Sequence, residues 1–251
     1  MTLSYTEGGL AMKLWHGIVL GVVYLFLGFQ WAVVMDIPPD ASSLAFSGLL
    51  TVMVAAVLLS FLPKAQRRAL FRVQLPLLPW VLAILAGTLL YCQLVIVLSY
   101  LFPYSGDGGS LYEGVLPVQV LGMAVLGPIS EELIYRGGLT QGLCRWMPWQ
   151  VGITIPAILF AVGHMRPMWP QVFLFGLVLG YLCWYTGSIS YGILIHLFNN
   201  ATAFLGSTYP LMQAYRGAGI AVCLLLVAVG LGLTFWGLRG FIRCTDQLSA
   251  V

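Results

Sequence analysis

The stretch Pro128-Ile129-Ser130-Glu131-Glu132-Leu133-Ile134-Tyr135-Arg136-Gly137 decides how the rest of the chain is read. It sets two adjacent carboxylates and a guanidinium among apolar residues, in a chain of 251 residues that is 60 % hydrophobic and only 8 % charged. A charged side chain at the centre of a membrane helix costs about 2.5–3.5 kcal/mol even on the lenient insertion scale, so three ask for roughly 10 kcal/mol unless they pair or face water. That burden marks the stretch as a working site. It also fixes the class, because no soluble domain carries so little charge with a mean hydropathy of +0.95. The expected fold is all-α, a polytopic membrane helical bundle. A β-barrel would alternate polarity over segments of about ten residues, and this chain has long continuous apolar runs instead.

Working outward, apolar runs fall at about 15–35, 44–62, 77–102, 115–145, 151–164, 172–185, 189–205 and 218–238. About eight transmembrane helices in a single integral membrane domain over 1–251 are therefore expected. The first run is too long for a signal-peptide core and lacks an A-x-A cleavage pattern, so it stays in the protein. Breaks are supplied by Asp36-Ile37-Pro38-Pro39-Asp40, by the basic cluster Lys64-Ala65-Gln66-Arg67-Arg68 with Arg72, and by the Ser105–Ser110 loop. Two more come from Arg166-Pro167-Met168-Trp169-Pro170 and the tight turn Thr186-Gly187-Ser188.

Loop lysines and arginines set orientation. With the N-terminus in the cytoplasm, Lys13, Lys64, Arg67, Arg68, Arg72, Arg145, Arg239 and Arg243 lie inside, and only Arg166 and Arg216 outside. Both termini are then cytoplasmic, and the expected location is a bacterial plasma membrane. The net charge of +3 is too small to suggest nucleic acid. Trp15, Trp31, Trp80, Trp146, Trp149 and Trp169 near the ends of runs read as interfacial anchors. Gly17 with Gly21, and Gly176 with Gly180, read as close helix packing. Five cysteines without CxxC spacing read as free thiols.

Three polar sets lie in the second half. Glu132 and Arg136, four apart, share a helical face and pair in the favourable order. Glu131 is turned about 100° away on an α-helix and has no partner on its own helix. Phe160 shares a face with His164, and His196 with Asn200. This spacing suggests that Arg136 neutralises Glu132 while Glu131 is left as the base. A histidine from the fifth run shares its proton and holds a water. A second histidine and an amide donate to a developing oxyanion. His16, Ser130 and Asn199 read as structural.

Glu-Glu-x-x-x-Arg at 131–136, Phe-x-x-x-His at 160–164 and His-x-x-x-Asn at 196–200 resemble, in order and spacing, the motifs of the CaaX protease and bacteriocin-processing (Abi) family. The likeness covers about 115–205, the expected catalytic core, and includes the Thr186-Gly187-Ser188 turn. Tyr135 stands where the family more often has Phe. The resemblance implies an intramembrane endopeptidase with Glu131, Glu132, Arg136, His164, His196 and Asn200 at its site and a cavity open toward the cytoplasm. It implies that Glu131 and His164 activate water and that His196 and Asn200 form the oxyanion hole.

No cofactor is required by this scheme. Zinc is the one candidate, and it would need His164, His196 and Glu131 with a water as fourth ligand. The local zinc signature H-E-x-x-H is absent, which favours a metal-free mechanism. The expected partners are a peptide or membrane-protein substrate and membrane lipid. Two other readings are a non-catalytic immunity, assembly or scaffold protein on the same fold, and a proton or ion transporter using a Glu–His relay. The first would be signalled by loss of a motif residue, and none is lost. Transporters usually carry repeats or broken helices in both halves, whereas here the polar residues gather in one half.

Overall fold

The computed structural model describes residues 12–27, 41–92, 94–101, 116–205 and 219–250. Trp31, the turn at 36–40, the Ser105–Ser110 loop and Arg216 lie outside the described residues. Within them every regular element is helical and no strand occurs. Helix α1 (Leu14–Gly21) runs on as a π-helical segment, Val22–Leu27. Next come α2 (Ala41–Ser60), α3 (Lys64–Leu70), α4 (Leu78–Tyr91) and α5 (Leu94–Leu101). The stretch 116–143 is one continuous helical path, α6, in which α-helical turns alternate with π-helical ones at Val120–Leu126 and Glu132–Thr140. Then follow α7 (Trp149–Val162), α8 (Trp169–Thr186), α9 (Ser190–Leu205) and α10 (Gly219–Ser249).

Three helical stretches are long and apolar enough to cross a membrane: Lys64–Tyr91, Arg166–Thr186 and Gly219–Ser249. Leu14–Leu25, Leu44–Ser60 and Trp149–Val162 are shorter apolar helices. The basic cluster expected to be a loop is itself helical. Pro63 opens α3, and four non-helical residues part it from the 3-10 turn Leu75–Leu77 that leads into α4.

In lipid the tails are as apolar as the side chains, so helices associate through close packing of small residues. A methyl group on Gly17 would sit 2.7 Å from the Leu139 backbone nitrogen, and one on Gly138 would overlap Gly17 itself. That contact presses α1 against α6. Gly176 meets Ala157 and Gly180 meets Ile153, joining α8 to α7. Gly230 and Gly237 lie against Gly87, Tyr91 and Ile84, joining α10 to α4.

One end of the bundle is tied by hydrogen bonds. Gly187 closes α8 in the left-handed region, at φ 71°, where a side chain would be strained. Its carbonyl accepts from Gln141 Nε2 at 2.9 Å, and Gln141 Oε1 accepts the Met12 amide at 3.2 Å. Ser188 Oγ donates toward the Leu70 and Arg72 carbonyls at 3.2 and 2.8 Å, and Ile189 N–H donates to Leu70 at 2.9 Å. His16 belongs to this end too. Its Nδ1 accepts the Lys13 amide at 2.8 Å and caps α1, a structural role.

Candidate active site

The central part of the site sits between two apolar clusters. One is built on Leu77, Val81, Ile84, Phe160, Phe175, Leu179 and Ile195. The other holds Leu20, Ala55, Leu133, Ile134 and Ile189. Between them Glu132 has no exposed surface and Arg136 is only 2 % exposed. Arg136 Nη1 lies 3.0 Å from Glu132 Oε1. Neither terminal nitrogen of Arg136 is aligned for a hydrogen bond, so the contact is one of charge. The guanidinium stacks 4.4 Å over the Phe160 ring, which adds a cation–π attraction where water is absent. Glu132 Oε2 points at Gly192, where any Cβ would collide with it.

His196 sits between the two glutamates. Its Nδ1 is 2.9 Å from Glu132 Oε1 and its Nε2 is 3.5 Å from Glu131 Oε2. Expected to donate to an oxyanion, it has both nitrogens directed at carboxylates instead. The Glu131 side chain keeps 18 % of its surface accessible, while that of Glu132 is sealed. The Tyr24 hydroxyl from the π-helical end of α1 hydrogen-bonds Glu131. The two glutamates thus share one histidine, although an α-helix would turn them about 100° apart. The helix is π-wound from Glu132 onward, and i→i+5 bonding widens the turn and brings neighbours closer in azimuth.

His164 follows α7, and its Nδ1 lies 2.8 Å from the Phe160 carbonyl. A carbonyl only accepts, so Nδ1 carries the hydrogen, and in the neutral ring Nε2 holds the lone pair. The indole of Trp169 donates to the His164 carbonyl at 2.8 Å, fixing the backbone. Phe160 holds both histidines edge to face, at 4.8 Å from His164 and 5.6 Å from His196. Asn200 Nδ2 donates to the Met123 carbonyl at 3.0 Å, and its Oδ1 accepts from Asn199 at 3.5 Å. One amide hydrogen of Asn200 stays uncommitted.

These side chains surround a cavity of about 50 Å³, lined on its polar side by Cys92, His164, Gln171, His196, Asn199 and Asn200. At 10–15 Å³ per water it holds about three to five. The cavity brings His164, His196 and Asn200 together. Glu131 and Glu132 meet it through His196 and are not part of its lining. Gln171 and Asn199 were not among the sequence candidates. Gln171 is 4 % exposed and its Oε1 has no partner. One glutamine beside a Pro-containing turn carries no sequence signal. Asn199, read from sequence as structural, does make structural bonds while lining the cavity. Ser130 is fully buried and donates to the Gly48 carbonyl at 3.1 Å, a packing contact.

Among the described residues no group of three or more His, Cys, Asp or Glu is placed to hold a metal ion. The conceivable zinc set does not fit as arranged. His196 is engaged through both nitrogens, and His164 has only Nε2 to offer.

Residues 113–202 match the family model described as type II CAAX prenyl endopeptidase Rce1-like, which identifies this segment as a CaaX protease and Abi family core. That family is one of proteases. The match contains every residue of the three motifs. Comparison with curated proteins found no match, and neither did comparison with solved structures.

Proposed function

We propose that the protein is an intramembrane endopeptidase that hydrolyses a peptide bond of a membrane-associated peptide or protein terminus. The observation that carries this reading is His196 between a sealed carboxylate, Glu132, and a partly open one, Glu131. If both glutamates are ionised, an imidazolium donating from both nitrogens, with Arg136, makes the cluster neutral: two negative and two positive charges. Glu131 then has a free lone pair for the proton of a water. His164 Nε2, an acceptor by the argument above, holds that water from the other side.

The water oxygen bonds to the scissile carbonyl carbon as its proton passes to Glu131. The oxyanion that forms takes the uncommitted Asn200 amide hydrogen, a preorganised donor in a dry site. Glu131 returns the proton to the departing nitrogen as the C–N bond breaks. Glu132 and Arg136 touch no reacting atom in this scheme. They fix His196, and His196 fixes Glu131. His196 is a positioning group here and Asn200 the oxyanion donor.

The bundle around the site is proposed to have about eight spans in a single domain over 1–251, with both termini in the cytoplasm of a bacterial cell. The three span-length helices and the clustering of basic residues support this. The test is cleavage, by purified protein in detergent, of a panel of quenched peptides that includes a farnesylated C-terminal peptide and unmodified ones. The natural protein cleaves at least one, with or without chelator. Glu131→Gln and His164→Ala lose turnover. Turnover by Glu131→Gln at the natural rate refutes the assignment.

A further inference from the structure

The cavity and the basic residues occupy opposite ends of the bundle. The end tied by Gly187 and Ser188 collects Lys13, the α3 cluster and Arg72 through the Met12, Leu70 and Arg72 contacts described above. The Gln74 amide joins it by donating to the Tyr191 hydroxyl at 2.9 Å. Arg145 follows closely on Gln141. Arg239 and Arg243 arrive on α10, where Tyr185 donates to Asp246 at 2.5 Å and Cys244 reaches the Pro76 carbonyl at 3.6 Å. Every basic residue counted on the cytoplasmic side therefore gathers at this end.

The cavity lies away from it on each helix that lines it. Cys92 comes just after the 14 residues of α4, which begin at the basic end and extend about 21 Å at 1.5 Å per residue. Gln171 stands near the start of α8, whose 18 residues run about 27 Å before reaching Gly187. Asn200 is ten residues along α9 from Ser190, about 15 Å away from that end. Glu132 is nine residues before Gln141, so the charged cluster lies roughly halfway across a hydrocarbon core of about 30 Å. His164, Met168 and Gln171 then line the half beyond it. Apart from the site's own Arg136, the described arginine or lysine on that side is Arg166, which is exposed.

Cytoplasmic loops carry the excess of Lys and Arg. We infer that the catalytic cavity opens toward the extracytoplasmic face, so that the substrate is a peptide segment on the outer side of the membrane: a translocated peptide or the outer end of a membrane span. The inference rests on the peptidase reading for the word substrate, and on the charge distribution for the side. It departs from the cytoplasmic opening that the family resemblance implies, and it takes cytosolic C-terminal prenyl peptides out of reach of the site.

Two measurements decide it. Arg166→Cys and Lys64→Cys, each added to the natural chain, are treated in intact cells with a membrane-impermeant maleimide, with the natural chain as background. Arg166→Cys labels directly, and Lys64→Cys labels only after permeabilisation. Then a peptide that the purified protein cleaves in detergent is offered to right-side-out and to inverted membrane vesicles. Cleavage occurs in the right-side-out set. Direct labelling of Lys64→Cys with protection of Arg166→Cys, or cleavage confined to inverted vesicles, overturns the inference while leaving the peptidase intact. If nothing is cleaved even in detergent, the peptidase reading falls, and the labelling alone decides which face the cavity opens on.

Discussion

Replacing Glu132 by Gln separates the structural carboxylate from the reactive one. Glu132 is sealed and touches Arg136 at 3.0 Å and His196 at 2.9 Å. The substitution leaves a guanidinium that is 2 % exposed with no anion beside it and only the Phe160 ring for company. Breaking a buried pair from one side costs about 3–5 kcal/mol. For a chain of this size each kcal/mol moves Tm by about 2–4 °C, so a fall of about 6–20 °C is expected. Glu131→Gln differs. Its carboxylate is partly open and sits 3.5 Å from His196, so the loss is that of one hydrogen bond, about 0.5–1.5 kcal/mol, or about 1–6 °C. Activity is lost in both, with a stable protein in one case and a weakened one in the other. The double variant Glu132→Gln/Arg136→Met recovers most of the lost Tm, because an apolar replacement of a whole buried pair is often neutral. Melting curves and the peptide assay in one detergent give all of these values. A Glu132→Gln protein that melts within about 2 °C of the natural one, below the cost of even a single kcal/mol, would falsify the assignment of Glu132 as the counter-ion of Arg136.

Other substitutions follow from the same geometry. Gly192→Ala places a methyl group on Glu132 Oε2; it should abolish turnover and lower Tm, and a fully active variant would show that α9 can move away. Phe160→Leu removes the ring that stacks on Arg136 and edges both histidines; the expected cost is about 1–3 kcal/mol, read as a lower Tm together with a fall in kcat, and unchanged kcat at lowered Tm would reduce Phe160 to packing alone. Gln171→Leu deletes a buried carbonyl oxygen that has no partner; because such a group costs about 1–3 kcal/mol to bury, Tm should hold or rise, and a clear fall would reveal a partner for Gln171.

What the sequence made legible was the chemistry that apolar surroundings throw into relief. Glu131, Glu132, Arg136, His164, His196 and Asn200 stand out because a lipid-facing place for any of them is so costly. The Glu132–Arg136 pair followed from a spacing of four, and it survives at 3.0 Å even though the helix there is π-wound. The winding itself was not legible. Nothing in Glu-Leu-Ile-Tyr-Arg-Gly-Gly-Leu-Thr announces i→i+5 bonding, and an argument from α-helical azimuth sent the two glutamates to different neighbours. They meet at His196 instead, from a third helix, because Gly192 one turn earlier leaves room for Glu132 to approach α9. Long-range backbone approaches of this kind depend on which glycine faces which. Gly17 was readable as a packing residue, but not that it would meet Gly138. The basic cluster shows the same limit in reverse. Its charge gave an orientation from sequence alone, but only the bonds from Ser188 to Leu70 and Arg72 reveal which end of the active-site helices it shares. The side on which the cavity opens is therefore a product of both kinds of information. Charge assigns the membrane face, contacts assign the bundle end, and neither determines access without the other.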